Sequence, residues 1–342
     1  MARIGILTSG GDCPGLNAVI RACVLRGIRG HKDEFLGLLD GWRGVVEQNA
    51  IELDWKSVRG IAKLGGTILG TSRTSPFDDG GTVQRVVASL RSMRLDALIV
   101  IGGEGTLTVA KMLSDEGVRI IGVPKTVDND ISATDYTFGF DTAVEIATEA
   151  IDRLKTTGES HHRCMIAEVM GRHVGWIALH AGMATSAHAI LIPEQNATID
   201  EICDWVGKPF QRGRPPLIVV AEGFVPDGMT RAHSARGLDT FSRPRLGGIG
   251  EFLAPTIEER TGIETRSTTL GHIQRGGVPS ASDRVLATRL GMAAVDAAHD
   301  EDWGQMVAVR STEIVRVDLS EAIGQLKTVP QSRYDEALTL FG

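Results

Sequence analysis

Short, predominantly apolar runs that end at a glycine, proline or acidic residue recur along this chain, with amphipathic stretches between them. Ile4–Thr8, Ala97–Ile101, Ile120–Val123, Cys164–Val169, Ala189–Ile192, Leu217–Ala221 and Met306–Val309 are the clearest. They are short, rich in β-branched side chains and not alternating, which is the pattern of strands covered on both faces. Between them lie helical patterns. In Thr142–Thr156, Ala143, Val144, Ala147, Ile151 and Leu154 recur at three or four residues, and Ser282–Ala298 repeats that spacing with Val285, Leu286, Leu290, Ala293 and Ala294. Strand–helix alternation predicts an α/β fold with mostly parallel sheets wrapped by helices. In such folds ligands collect at the carboxyl ends of the strands, so the residues just beyond each strand are the candidates for chemistry.

The length of 342 residues favours two domains, and 42% hydrophobic content is ample for a full core. A formal net charge of −7 argues against non-specific binding to nucleic acid or a membrane surface. It does not bar phosphate ligands, because a few clustered arginines reverse the sign locally. Cys13, Cys23, Cys164 and Cys203 show neither metal spacing nor a C-x-x-C pair, so a reduced intracellular chain is expected. The chain enters a strand almost at once, leaving no room for a signal peptide, and no apolar run is long enough to cross a bilayer. A cytoplasmic protein with no nucleic-acid or membrane partner is the expectation. One segment breaks the rhythm: Phe224 to Glu258, with Arg231, His233, Arg236, Arg243 and Arg245, has little periodicity before Ile249 and reads as a surface loop or excursion.

Three strand ends carry the chemistry. After the first comes Ser9-Gly10-Gly11-Asp12-Cys13-Pro14-Gly15, where Asp12 and Pro14 suit the cap and first turn of a helix whose free N–H groups would accept a phosphate chain. Alone it fits an ordinary glycine turn equally well. After Ile101 comes Gly102-Gly103-Glu104-Gly105-Thr106, which sets a carboxylate where phosphate oxygens would arrive. Glu104 is there either a Mg²⁺ ligand, directly or through water, or a plain acidic residue at a helix N-terminus. After Val123 comes Pro124-Lys125-Thr126-Val127-Asp128-Asn129-Asp130. Phosphoryl transfer needs a base for the attacking hydroxyl and electrophiles for the transferring oxygens; Asp128 suits the first role, Lys125 and Thr126 the second. Any one of these turns is weak, and three in succession are hard to dismiss. Arg163, Arg172, Arg266, His272 and Arg275 also gather near strand ends, and arginine forks fit the oxygens of a second, monophosphate group.

From Ile4 to about Val309 these motifs resemble the 6-phosphofructokinase family, in the family's order: Thr8-Ser9-Gly10-Gly11-Asp12, Gly102–Thr106, Thr126–Asp130, Met170-Gly171-Arg172 and Gly271-His272-Ile273-Gln274-Arg275-Gly276-Gly277. The resemblance implies two Rossmann-like three-layer α/β domains with the active site in the cleft between them. Their expected bounds are 1–139 with about 274–323 for the phosphoryl donor, and 140–273 with about 324–342 for the sugar phosphate. It implies an ATP-dependent enzyme of glycolysis that phosphorylates the 1-hydroxyl of fructose 6-phosphate. It implies Asp128 as base, Asp130 as its polar neighbour, and Thr126 and Arg172 at the transferring phosphoryl. Gly10, Gly11, Arg73, Thr74, Gly103, Gly105 and Thr106 would form the donor site, with Glu104 at the magnesium position. Met170, Gly171 and Glu222 would meet the sugar; His272 and Arg275 would grip its 6-phosphate, joined by Arg163 and Arg266 from a neighbouring subunit. A homo-oligomer, in the family's manner a tetramer, follows from that last pair.

The family divides by donor. In pyrophosphate users the residue equivalent to Gly105 is an aspartate that crowds the nucleotide, whereas Lys125 is what pyrophosphate users carry. An obstructing carboxylate excludes a nucleotide and an extra cation excludes nothing, so ATP is expected and pyrophosphate is the alternative. A dinucleotide-dependent oxidoreductase would need G-x-G-x-x-G after the first strand, and it is not there.

Overall fold

The computed structural model describes residues 1–229 and 247–341. The chain divides into two compact units, Met1–Thr142 with Arg275–Leu326, and Ala143–Gln274 with Lys327–Gly342. In chain order the elements are β1 (Arg3–Ser9), α1 (Leu16–His31), β2 (Glu34–Leu38), α2 (Trp42–Glu47), β3 (Ala50–Leu53), α3 (Val83–Ser92), β4 (Ala97–Gly102), α4 (Glu104–Asp115) and β5 (Ile120–Pro124). Then come α5 (Phe140–His161), β6 (Cys164–Val169), α6 (Trp176–Ala184), β7 (Ala189–Leu191), α7 (Ile199–Gln211), β8 (Leu217–Ala221), α8 (Ile249–Thr261), β9 (Thr265–Thr269), α9 (Ala281–His299), β10 (Gln305–Arg310), β11 (Glu313–Asp318) and α10 (Gln331–Leu338).

The first unit is built on a seven-stranded sheet in the order β11-β10-β5-β4-β1-β2-β3, parallel except for its two edge strands. Strands β1 and β4 are almost wholly buried, as their unbroken apolar sequences require. Leu7, Leu98, Val100, Leu107, Leu113, Ile120 and Met306 are among the side chains of one continuous core here. On the other face α1 packs against α9 at very short range. A Cβ on Gly291 would stand 2.6 Å from the Val19 carbonyl oxygen, so only glycine allows that approach. The second unit carries a four-stranded parallel sheet, β7-β8-β6-β9, with Ile166, Ile202, Val220, Leu253 and Ile257 in its core.

All seven expected strands and both expected helices form. The strands that the apolar pattern does not reveal are β2, β3, β9 and β11. Residues in β3, β9 and β11 are exposed or half-buried, and a strand with one wet face need not be apolar throughout. Two expectations are corrected. The segment from Phe224 to Glu258 is not surface loop throughout: Phe224 lies in no helix or strand but is buried, and α8 starts at Ile249, while Arg231, His233, Arg236, Arg243 and Arg245 lie outside the described residues. Helix α1 is not capped by Asp12 or opened by Pro14. Its N-cap is Gly15, at a φ of 106°, with no side-chain cap. A Cβ there would meet the Phe138 ring at 2.8 Å, so core packing fixes the residue that starts the helix.

Candidate active site

Three of the glycine-rich or acidic turns are brought side by side by the register of the large sheet. Ser9 of β1 lies opposite Gly102 of β4, and Gly102 lies opposite Pro124 of β5. The turns that leave these residues therefore share one edge of the first unit. Gly10 is held at a φ of 85°; its N–H donates to the Ser72 carbonyl at 3.0 Å, and its carbonyl accepts from Thr71 Oγ1 at 2.6 Å. This bracing ties the first turn to the chain that leads into Arg73, which is exposed, and Thr74, which is half-buried. A Cβ on Gly10 would point at Lys125 Nζ (3.5 Å) and Thr106 Oγ1 (3.6 Å), which shows all three turns meeting at one point.

Gly103 is the N-cap of α4 and Glu104 its first residue, exposed to solvent at the positive end of the helix. Gly105 follows with nothing within 4 Å of where a Cβ would stand, whereas Thr106 is buried at 7% exposure. Among the described residues no group of three His, Cys, Asp or Glu side chains is arranged to hold a metal. Glu104 therefore belongs to no such group, and a carboxylate outside a protein-only cage suits Mg²⁺ arriving with phosphate oxygens.

Lys125 is only 4% exposed, and its Nζ donates to the Gly11 carbonyl oxygen. Burial holds its ammonium below the usual lysine range, and Arg275 nearby acts in the same direction. The Arg275 guanidinium reaches the same turn: Nη1 donates to the Asp12 carbonyl at 3.2 Å and lies 2.0 Å from where a Gly11 Cβ would be. Two cations therefore converge on Gly11–Asp12, and neither is in an ion pair among the described residues. Cys13, in the same turn, is fully buried and its thiol is pushed up to about 12 by burial, which makes it no nucleophile.

The run after β5 is shaped by a residue that sequence reading passes over. Asn129 sits at a φ of 53° with its Oδ1 accepting the Thr137 N–H at 3.1 Å, and Thr137 Oγ1 donates to the Thr126 carbonyl at 2.8 Å. Thr126 Oγ1 in turn accepts the Asp128 N–H at 3.1 Å. Thr137 thus fixes the turn that presents Thr126, Asp128 and Asp130, all three half-buried. The only hint in the sequence is an asparagine, which tolerates the left-handed conformation, at the centre of the run.

In the second unit, β6 and β8 are neighbours, Val169 opposite Ala221, and the residues after them interlock. The Glu222 N–H donates to the Val169 carbonyl (2.9 Å) and the Gly223 N–H to that of Gly171 (3.0 Å). Gly171 is at a φ of 139°, and Met170 is buried with its N–H on Gln274 Oε1 at 3.3 Å. These contacts group Met170, Gly171, Arg172 and Glu222 at the carboxyl end of the small sheet. Exposed His272 follows β9 at that same end. Arg163 and Arg266 are elsewhere: Arg163 precedes β6 and Arg266 is the second residue of β9, at the amino end of both strands. Within the second unit the small sheet therefore separates Arg163 and Arg266 from His272. Arg163 and Arg266 sit at one end of the small sheet, His272 at the other, and Arg275 against the Gly11 turn of the first unit.

Known proteins share this arrangement of sequence and fold. A model of the family described as phosphofructokinase matches residues 3–298. The pyrophosphate–fructose 6-phosphate 1-phosphotransferase of Amycolatopsis methanolica is 56% identical, over 99% of this chain and 100% of its own length. The ATP-dependent 6-phosphofructokinase 3 of Streptomyces coelicolor is 54% identical, over 98% of each. Among solved structures, Pichia pastoris phosphofructokinase in the T-state superposes with a TM-score of 0.83 at 33% identity; the match takes in 94% of this chain and 35% of that one. The resemblance carried by the strand-end motifs is thereby borne out, and the chain belongs to the phosphofructokinase family, enzymes that transfer phosphoryl groups.

Proposed function

We propose that this chain transfers the γ-phosphoryl group of ATP to the 1-hydroxyl of fructose 6-phosphate, giving fructose 1,6-bisphosphate and ADP, as a step of glycolysis. The observation that carries the reading is the convergence of Gly10, Thr106 and Lys125 at the edge where β1, β4 and β5 end side by side. The N–H groups of the first turns of α1 and α4 and the Lys125 ammonium supply donors for a polyphosphate. The Asp128 carboxylate takes the proton of the 1-hydroxyl as its oxygen attacks the γ-phosphorus. The bond from that phosphorus to the bridging oxygen breaks, and ADP leaves with the electron pair. Thr126 and Arg172 meet the transferring oxygens, and Asp130 keeps the base in a polar setting. Glu104 would hold magnesium, which would supply neutralisation of the phosphate charge.

On the acceptor side Met170, Gly171 and Glu222 receive the sugar, while His272 and Arg275 receive its 6-phosphate. Arg163 and Arg266 complete that clamp from a second copy of the chain, which makes a homo-oligomer, and in the family's manner a tetramer, part of the proposal. Their position at the far end of β6 and β9 from His272 supports this reading. Four free cysteines agree with a cytoplasmic location.

The choice of ATP rests on Gly105, whose Cβ direction opens onto empty space where a longer donor can continue. A second reading, pyrophosphate as donor, is favoured by buried Lys125 and by the name of the Amycolatopsis methanolica relative. Overall identity does not choose, since relatives named for each donor match almost equally. The deciding experiment is a coupled assay on fructose 6-phosphate with ATP and pyrophosphate side by side. Turnover with ATP is expected; turnover with pyrophosphate and none with ATP would overturn the donor assignment.

A further inference from the structure

One carboxylate stands between the two arginines at the amino end of the small sheet. Arg163 is anchored by its own N–H, which donates to the Gly158 carbonyl at 3.1 Å. Across from it, the Glu264 carbonyl accepts the Cys164 N–H at 2.9 Å, and the register continues with Arg266 opposite Met165. Glu264 is therefore the cross-strand neighbour that can reach both guanidinium groups, and it does. Its Oε2 lies 2.7 Å from Arg163 Nε, and its Oε1 pairs with Arg266 Nη2. Glu258 of α8 adds a second hold, with Oε2 at 3.2 Å from both Arg266 Nη1 and the Thr265 N–H. Arg266 Nη1 also donates to the Thr265 carbonyl at 2.8 Å.

Three features distinguish this arrangement from an ordinary surface ion pair. A single carboxylate serves two arginines, so it cancels the repulsion that would otherwise push their side chains apart. Arg266 is fixed by three separate groups, which leaves it little rotamer freedom. Arg163 meets the carboxylate through its Nε, at 2.7 Å from Glu264 Oε2. Its planar fork is held in place by charge and is still able to hydrogen-bond an incoming anion.

We infer that Glu264 is a positioning residue for phosphate-monoester recognition: it holds Arg163 and Arg266 as one preorganised clamp for the 6-phosphate of the sugar bound by a neighbouring copy. The inference rests on the proposed role of those two arginines. It is opposed to the reading in which Glu264 merely competes with phosphate for them.

The test uses the full-length oligomer at saturating donor with fructose 6-phosphate varied. Glu264→Gln keeps the size and removes the charge. It is expected to raise KM for fructose 6-phosphate about tenfold while kcat stays within about twofold and KM for the donor is unchanged. Combined with Arg266→Ala, the same substitution adds less than about twofold more, because the clamp is already lost. Glu264→Asp, with charge kept but reach shortened, falls between wild type and the glutamine variant. An unchanged or lowered KM in Glu264→Gln overturns the inference, as does full additivity with Arg266→Ala. If Arg163→Ala and Arg266→Ala themselves leave KM unchanged, it is the proposed role of the arginines that fails. If they raise it and Glu264→Gln does not, only the role of Glu264 fails. Melting curves of each variant separate a kinetic effect from lost fold.

Discussion

The Asp283 carboxylate accepts the Thr142 N–H at 2.8 Å and the Thr142 hydroxyl at 2.5 Å, joining residues 141 apart in the chain. The contact is reciprocal. Thr142 Oγ1 accepts the Ser280 N–H at 3.0 Å, while Ser280 Oγ accepts the Asp283 N–H at 3.1 Å and donates to Asp141 at 2.6 Å. The first turns of α5 and α9 thus cap each other, close in sequence to two of the three places where the chain passes from one unit to the other. Asp283 is 1% exposed, and burial pushes its carboxyl above the usual aspartate range. Asp283→Ala leaves buried donors of α5 unpaired and is expected to cost roughly 2–4 kcal/mol of stability. Asp283→Asn, which keeps one acceptor oxygen, costs less. Denaturant unfolding followed by circular dichroism checks both; equal stability of Asp283→Ala and wild type would contradict the cap.

A second prediction concerns the base proposed at Asp128. Asp128→Asn keeps the shape of the turn set by Thr137 and Asn129 but cannot take a proton. Its kcat is expected to fall by about 10²–10⁴, with KM for fructose 6-phosphate little changed. A variant that turned over at the wild-type rate would remove Asp128 from the chemistry. Thr137→Val is the companion: it leaves the carboxylate in place, loosens the turn, and should lower kcat by a smaller factor.

How much of this was legible in the sequence follows from what each residue faces. Strands β1, β4, β5, β6 and β8 are covered on both sides, so their apolar runs announce them; β9, with Arg266, Ser267 and three threonines, lies on a sheet edge and looks like loop. Glycines signalled the turns because close approach and left-handed backbone leave few alternatives there. Which residue caps α1 was not readable, since Phe138, more than a hundred residues away, decides it. The same holds for Thr137 beneath the Asp128 turn and for Glu264 between its arginines. Motifs identify residue types at strand ends; they do not tell which end of a strand an arginine occupies once the sheet is assembled.

Gly11 offers a test of Arg275. Its backbone is not in the left-handed region, so alanine is tolerated by the chain itself, but the new Cβ would fall 2.0 Å from Arg275 Nη1. The guanidinium must swing away and lose its contact with the Asp12 carbonyl. Gly11→Ala and Arg275→Ala are therefore expected to show the same kinetic defect, an increase in KM for fructose 6-phosphate of about tenfold or more. The double variant should be scarcely worse than either. Additive defects would mean that Gly11 acts independently of Arg275.

Acid sensitivity is expected from His188. Its Nδ1 accepts the Leu217 N–H at 3.1 Å, which only the neutral ring can do, and burial, with Lys155 and Arg214 nearby, holds its pKa below the usual histidine value. As pH falls below about 6.5 the unfolded chain takes up a proton that the folded ring resists. The stability His188 contributes is thus present above that pH and is lost as pH falls through the lower, folded value. His188→Asn, whose side-chain oxygen can accept the same N–H, should flatten the loss of unfolding midpoint between about pH 7.5 and about pH 5.5. An unchanged slope would assign the acid sensitivity to other groups.

The donor is best tested at Gly105. It is the second residue of α4, its backbone is not left-handed, and no atom lies within 4 Å of where a Cβ would stand. An aspartate there meets no steric obstacle and is favoured by the positive end of the helix, so Gly105→Asp should fold at least as well as wild type. Its carboxylate would then occupy the space through which a nucleotide continues beyond its β- and γ-phosphates, beside Glu104 and facing the α-phosphate with like charge. The expected outcome is a fall in kcat/KM for ATP of about 10²-fold or more, with activity on pyrophosphate equal to or above that of wild type. Lys125 would be kept, since in the proposed site a buried cation on the Gly11 turn would serve the phosphates common to both donors. If Gly105→Asp used ATP as well as wild type does, the open space beside α4 would not be the nucleotide's path, and the ATP assignment would lose its support.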